Sequence, residues 1–114
     1  MLVAKKNNVK KIIYSSSSSV YGDSKKLPVN EKTKLLKKNI YAVTKKLNED
    51  TAELYSKLTG ISFIGLRFFT IFGEWGRPDM LIFKIYKAQI KKNLLSLNNY
   101  GNHYRDFTYI GDAI

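Results

Sequence analysis

A tyrosine and a lysine four residues apart can form a general base when they share one helix face. Tyr41 and Lys45 have that spacing, and so do Tyr21 and Lys25. A phenol ionises near pH ~10 and is a weak base at neutral pH. A lysine ammonium beside it favours the phenolate. The phenolate can then take a proton from a substrate hydroxyl while the adjoining carbon gives up hydride. The spacing alone carries little in a chain with 8 tyrosines and 20 lysines and arginines. Position separates the two pairs. Tyr21-Gly22-Asp23-Ser24-Lys25 lies in a glycine-containing stretch without helical pattern. Tyr41 and Lys45 open the best helical pattern in the chain, one turn apart and on one face.

A second set of groups is the serine row Ser15–Ser19, followed by Val20-Tyr21-Gly22. Such a row is either a solvated linker or a set of hydroxyls held at a strand end for a substrate. The only histidine, His103, reads as an exposed loop residue. There is no cysteine, which excludes disulfides and thiolate metal sites. No metal site is expected.

The elements that must position these groups follow from periodicity. Val9–Tyr14, with Val9, Ile12 and Ile13, reads as a short strand. The span 23–38 is polar and irregular. Asn39 is a suitable N-cap for a helix over Ile40–Leu58, which Gly60 ends. Val43, Leu47, Leu54 and Leu58 make its apolar stripe, on a different face from Tyr41 and Lys45. Ile61–Phe69 is a nearly continuous apolar run, the pattern of a parallel strand covered on both faces. Thr70–Met80, with Gly73, Gly76 and Pro78, reads as a loop, and Met80–Lys92 as a second helix. Leu94–Leu97 suggests a short strand, Tyr100–Tyr109 a polar-aromatic loop, and Asp112 a helix start. Strand, helix, strand is a βαβ unit. One unit leaves sheet edges open, so the chain reads as part of a larger α/β domain.

The formal charge is +11, which raises nucleic acid as a partner. The basic residues are mostly lysines spread in pairs; only Arg67, Arg77 and Arg105 are arginines. Phosphate and base readout draws on arginine, so no nucleic-acid role is expected. No apolar run approaches a membrane span, so no membrane partner is expected either. The N-terminus has no secretory pattern, which makes the cytoplasm the expected location.

Four segments together carry a family resemblance: SSSSSVYG (15–22), YAVTKK (41–46), GLRFFTIFGEWGRPDM (65–80) and NYGNHYRDFTYIGD (99–112). In this order they resemble the extended short-chain dehydrogenases/reductases, in the nucleotide-sugar epimerase/dehydratase group. Within it the RFFT and Gly-x-Trp-Gly-Arg-Pro-Asp-Met runs are most similar to the UDP-glucuronate 4-epimerases. The resemblance implies part of a Rossmann-like doubly wound parallel sheet. Residues 1–70 would be the C-terminal portion of an NAD-binding domain, and 71–114 part of the nucleotide-sugar region.

It further implies roles for single residues. Ser17 would hold the reacting sugar oxygen, Tyr41 would be the base, and Lys45 would support it; Tyr41 and Lys45 would also bind NAD. Ser18, Ser19 and Thr70 would bind the sugar, since neutral donors suit a carboxylate. Relatives that dehydrate their substrate carry an Asp-Glu pair where this chain has Ser18 and Ser19, so dehydration is disfavoured. Arg105, with Arg77 near it, would grip the diphosphate of a UDP-sugar. A homodimer through the Ile40–Leu58 helix is implied as well. The family's glycine-rich dinucleotide turn is absent from these 114 residues. The chain alone is therefore expected to be inactive. Other readings are UDP-galactose epimerisation, UDP-glucuronate decarboxylation, and a non-enzymatic remnant or basic binding module.

Overall fold

The computed structural model describes residues 2–114. They form two compact units, one reaching to Phe68 and the other running from Phe69 to Ile114.

The first unit holds α1 (Leu2–Lys6), β1 (Lys11–Ser15), a 3-10 turn (Ser18–Tyr21), α2 (Ile40–Thr59) and β2 (Ser62–Leu66). β1 and β2 run parallel, with Lys11 opposite Ser62 and Ser15 opposite Leu66. α2 is the crossover between them, as parallel neighbours require. Its ends obey local chemistry. Asn39 Oδ1 accepts a hydrogen bond from the Ala42 N–H at 2.7 Å. Gly60 takes a left-handed φ of 72° and donates its N–H to the Ser56 carbonyl at 2.9 Å. Replacing Asn39 with alanine should cost ~1 kcal/mol of stability. A thermal melt beside Asn39→Asp checks this: the aspartate should retain the cap and most of the stability.

Two expectations about packing change. The face α2 buries is built on Ala42 and Ala52, small residues that admit a close approach to the sheet. The apolar stripe Val43, Leu47, Leu54 and Leu58 instead stays 51–68% exposed. The expected β2 run Ile61–Phe69 shortens to Ser62–Leu66. The sheet is covered by α2 on one side, while Ile13 and Ile64 on the strands remain exposed, at 62% and 38%. The core of the unit is Val20, Tyr21, Ala42, Ala52 and Ile61. Val20, fully buried, contributes ~1.5–3 kcal/mol from that one side chain. Gly65 lets the Tyr14 ring lie across it: a Cβ there would stand 2.6 Å from the Tyr14 hydroxyl, so the ring would have to turn aside.

The second unit contains β3 (Thr70–Phe72), α3 (Leu81–Lys91), a 3-10 turn (Asn98–Gly101), β4 (Phe107–Tyr109) and α4 (Ile110–Ala113). β3 and β4 pair in parallel, with Thr70 opposite Phe107. Both had been expected as loop. Two three-residue strands carry little pattern of their own, and aromatic packing holds them. Phe72 meets Phe107 edge-on at 6.3 Å and Tyr109 at 5.7 Å. Leu94–Leu97 is not a strand, having no partner among the described residues. α4 begins at Ile110, two residues before the expected Asp112. No helix of the described residues is long and apolar enough to cross a membrane.

Candidate active site

The serine row sits where β1 ends, and three of its members are fixed by different bonds. Ser15 is the last residue of β1, and its carbonyl accepts a hydrogen bond from Lys45 Nζ at 3.0 Å. The Ser15 hydroxyl oxygen lies 3.5 Å from the same Nζ. Ser16 Oγ donates to Glu49 Oε1 at 2.6 Å. Ser17 caps the 3-10 turn: its Oγ accepts from the Ser19 N–H at 3.1 Å. That leaves the Ser17 hydroxyl proton to donate elsewhere. Backbone bonds tie the row to the run after β2, from Ser16 N to Leu66 O at 2.8 Å and from Ser18 N to Phe68 O at 2.9 Å. Ser16 and Ser17 are buried, and Ser18 and Ser19 half-buried. A solvated linker has none of these features.

Tyr41 lies in the first turn of α2 with its side chain exposed. Lys45, one turn on, extends past it, with Nζ 5.7 Å from the centre of the Tyr41 ring. The lysine therefore bridges the tyrosine and the strand end. Lys25, in the competing pair, is exposed in a bend with no comparable link.

Thr70, Arg77 and Arg105 belong to the second unit. Thr70 opens β3, and its N–H donates to the Asp106 carbonyl at 3.2 Å, which brings it beside the Arg105 segment. Arg105 is exposed and donates to the neighbouring Tyr104 carbonyl at 3.0 Å. Arg77 is exposed and ion-pairs with Asp79 at 3.3 Å. Trp75 is fully exposed, at a left-handed φ of 61°. His103 is exposed, in a loop.

Sequence reasoning missed the least exposed ion pair among the described residues. Arg67, just after β2, forks onto Glu49 of α2: Nε to Oε1 at 2.7 Å and Nη2 to Oε2 at 2.8 Å. A signal was present, because Arg67 interrupts an otherwise apolar run and a charge there needs a partner. The Arg67 hydrogen bonds hold the Glu49 carboxyl below its usual range, against the effect of burial, and the Ser16 hydrogen bond adds to the lowering. The pair in turn holds the Arg67 guanidinium well above its usual value. A carboxyl whose ionisation is favoured by folding stabilises the fold above its ordinary value of about 4.3. That stability is lost as pH falls through the lowered value. Acid unfolding should therefore be steeper in the wild type than in Glu49→Gln, as followed by circular dichroism; identical acid limbs would remove this contribution.

Comparisons with known proteins bear on the family and the fold. The family model for the NAD dependent epimerase/dehydratase family matches residues 1–114. An uncharacterised protein of Methanocaldococcus jannaschii is 47% identical over 97% of this chain and 34% of its own length. UDP-glucuronate 4-epimerase 4 of Arabidopsis thaliana is 46% identical over 90% of this chain and 24% of its own. Among solved structures, UDP-glucuronic acid 4-epimerase from Bacillus cereus, in complex with UDP-glucuronic acid and NAD, superposes with a TM-score of 0.87. It is 34% identical, over 98% of this chain and 35% of that one. The chain thus spans about a third or less of the length of the relatives it matches.

Proposed function

Because this chain belongs to the NAD-dependent epimerase/dehydratase family and shares its Rossmann-like α/β fold, we propose that it supplies the acid/base part of a nucleotide-sugar C4 epimerase. The substrate we infer is UDP-glucuronate. The observation that carries the reading is Lys45, held by the Ser15 carbonyl at the end of β1 and passing the Tyr41 ring. It brings the proton-transfer pair to the carboxyl edge of the sheet, where doubly wound folds bind their ligands.

In this reading the Tyr41 phenolate takes the proton from the sugar 4-hydroxyl and later returns it to O4. The Ser17 hydroxyl donates to the same oxygen throughout. NAD, when bound, would supply the reversible hydride acceptor for C4, so that nothing is oxidised overall. The donor set fits that cofactor in part. Lys45 has three N–H donors; one goes to Ser15 O at 3.0 Å and a second reaches Ser15 Oγ at 3.5 Å, which leaves a third for a ribose hydroxyl.

In the first unit Ser18 and Ser19 would offer neutral donors to a sugar carboxylate, and a Ser-Ser pair lacks the acid and base that water loss requires; in the second unit Thr70 would be a neutral donor of the same kind. Arg105 and Arg77 supply guanidinium groups for a diphosphate. The exposed α2 stripe, Val43, Leu47, Leu54 and Leu58, supports pairing with a second copy. Light scattering tests that: a strictly monomeric active enzyme would remove it. We also place the enzyme in the cytoplasm, where its nucleotide-sugar substrate would be met.

The test is a substrate panel with the full-length enzyme that carries this segment. UDP-glucuronate should give UDP-galacturonate, resolved by proton NMR. Turnover of UDP-galactose in preference would transfer the assignment to a neutral sugar. Carbon dioxide release with formation of a UDP-pentose would make it a decarboxylase. Conversion of UDP-glucuronate by the 114-residue chain alone would refute the need for further cofactor-binding elements.

A further inference from the structure

The Glu49–Arg67 pair touches every segment of the first unit that bears on the proposed chemistry. Glu49 lies one turn beyond Lys45 and two beyond Tyr41, so the three follow one line along α2. Its carboxylate accepts from Ser16 at 2.6 Å and from both arms of the Arg67 fork. The third guanidinium nitrogen, Nη1, donates to the Tyr21 hydroxyl at 3.2 Å and reaches the Glu31 carbonyl at 3.4 Å. The guanidinium also lies 5.1 Å from the centre of the Tyr21 ring. On either side of Arg67, the carbonyls of Leu66 and Phe68 hold Ser16 and Ser18 by their N–H groups. Ser17 is therefore strapped between two backbone bonds, and the residue before it is bonded to the catalytic helix. The side chains of Arg67 and Glu49 are only 21% and 13% exposed, so solvent screens the pair weakly.

We propose that Glu49 and Arg67 are positioning residues for the acid/base machinery: they set the register between the Tyr41–Lys45 line of α2 and the serine row. Helix and strand end could slide relative to each other without changing the fold. The bidentate fork and the Ser16 bond allow one alignment, in which Lys45 meets the Ser15 carbonyl and Ser17 is held between the bonds of Ser16 and Ser18 to the Arg67 segment. A loss of ~1 Å in such alignment is enough to slow chemistry ~100-fold. Lysine at 67 would keep the charge but cannot make the fork.

This inference rests on the proposed function, and its test separates the two. In the full-length enzyme, Glu49→Gln, Arg67→Lys and Ser16→Ala should each lower kcat at least ~10-fold, with KM for UDP-glucuronate and NAD binding within about twofold. Ile61→Ala, which hollows the core at the opposite end of β2 from Arg67, is the control for lost stability. A second readout needs no turnover: amine labelling of each lysine, read by mass spectrometry. Labelling of Lys45 should rise several-fold in Glu49→Gln while exposed Lys57 is unchanged. Folded Glu49→Gln protein with wild-type kcat and wild-type Lys45 labelling overturns the proposal. So does an equal fall in kcat in an equally destabilised Ile61→Ala. If the wild type turns over no UDP-sugar, the functional reading fails, and the labelling arm alone decides whether the pair positions Lys45.

Discussion

Tyr41→Phe should lower kcat for C4 epimerisation by ~100- to 10,000-fold while the protein still binds NAD and UDP-sugar. The substitution removes one oxygen from an exposed side chain and so leaves the core intact. On the proposed function, what would be lost is the group that exchanges a proton with O4. Lys45 would still be held by Ser15, because that bond does not involve the phenol. Binding measured by calorimetry should therefore stay within a few-fold of the wild type. The comparison is Lys25→Ala, which breaks the other Tyr-x-x-x-Lys match. It should leave turnover unchanged, since Lys25 is exposed in a bend. Loss of activity in Lys25→Ala with none in Tyr41→Phe would reverse the assignment.

Gly22→Ala should produce the largest loss of stability from a single methyl group in this chain. Gly22 takes a left-handed φ of 58°, and a Cβ there would lie 1.8 Å from the Leu36 carbonyl oxygen. That oxygen belongs to the backbone and cannot rotate away. Leu36 is also bonded through its N–H to the Val20 carbonyl at 3.1 Å, so moving it pulls on the buried Val20–Tyr21 turn. Left-handed strain of ~1 kcal/mol and overpacking of ~1–3 kcal/mol add to about 3 kcal/mol. The melting midpoint should fall by about 10 °C or more. A midpoint within 2 °C of the wild type would show that the turn can open at little cost. The same turn holds Ser17–Ser19, so the change should also impair substrate binding in the full-length enzyme.

The first unit was legible where single residues have single uses. Asn39 and Gly60 mark the ends of α2 because one side chain and one backbone conformation do so. The β-branched run marks β1 because period and composition agree. The buried face of α2 was not legible. Periodicity finds the large apolar residues, and here those stay exposed while two alanines make the contact. Composition does not distinguish a stripe that meets the sheet from one left open. β3 and β4 were missed for another reason: three residues are too few to show alternation, and their pairing depends on partners some 37 positions apart.

The site divides in the same way. Tyr41, Lys45 and Ser17 could be named from spacing joined to resemblance. Glu49 and Arg67 could not be paired, because nothing local links a helix residue to one 18 positions later. Only the fold, by running β2 parallel to β1, brings Arg67 to the serine row. Thr70 and Arg105 are joined by the β3–β4 pairing, which the sequence does not advertise.

The central claim is that the Tyr41, Lys45 and Ser17 constellation serves reversible hydride removal at the sugar C4. The most direct test is UDP-glucuronate carrying deuterium at C4, incubated with the full-length enzyme and NAD in ordinary water. The product should be UDP-galacturonate with the label retained at C4, because hydride leaves and returns without meeting solvent. Loss of the label to water would contradict the account, since it would mean that C4 is deprotonated rather than oxidised.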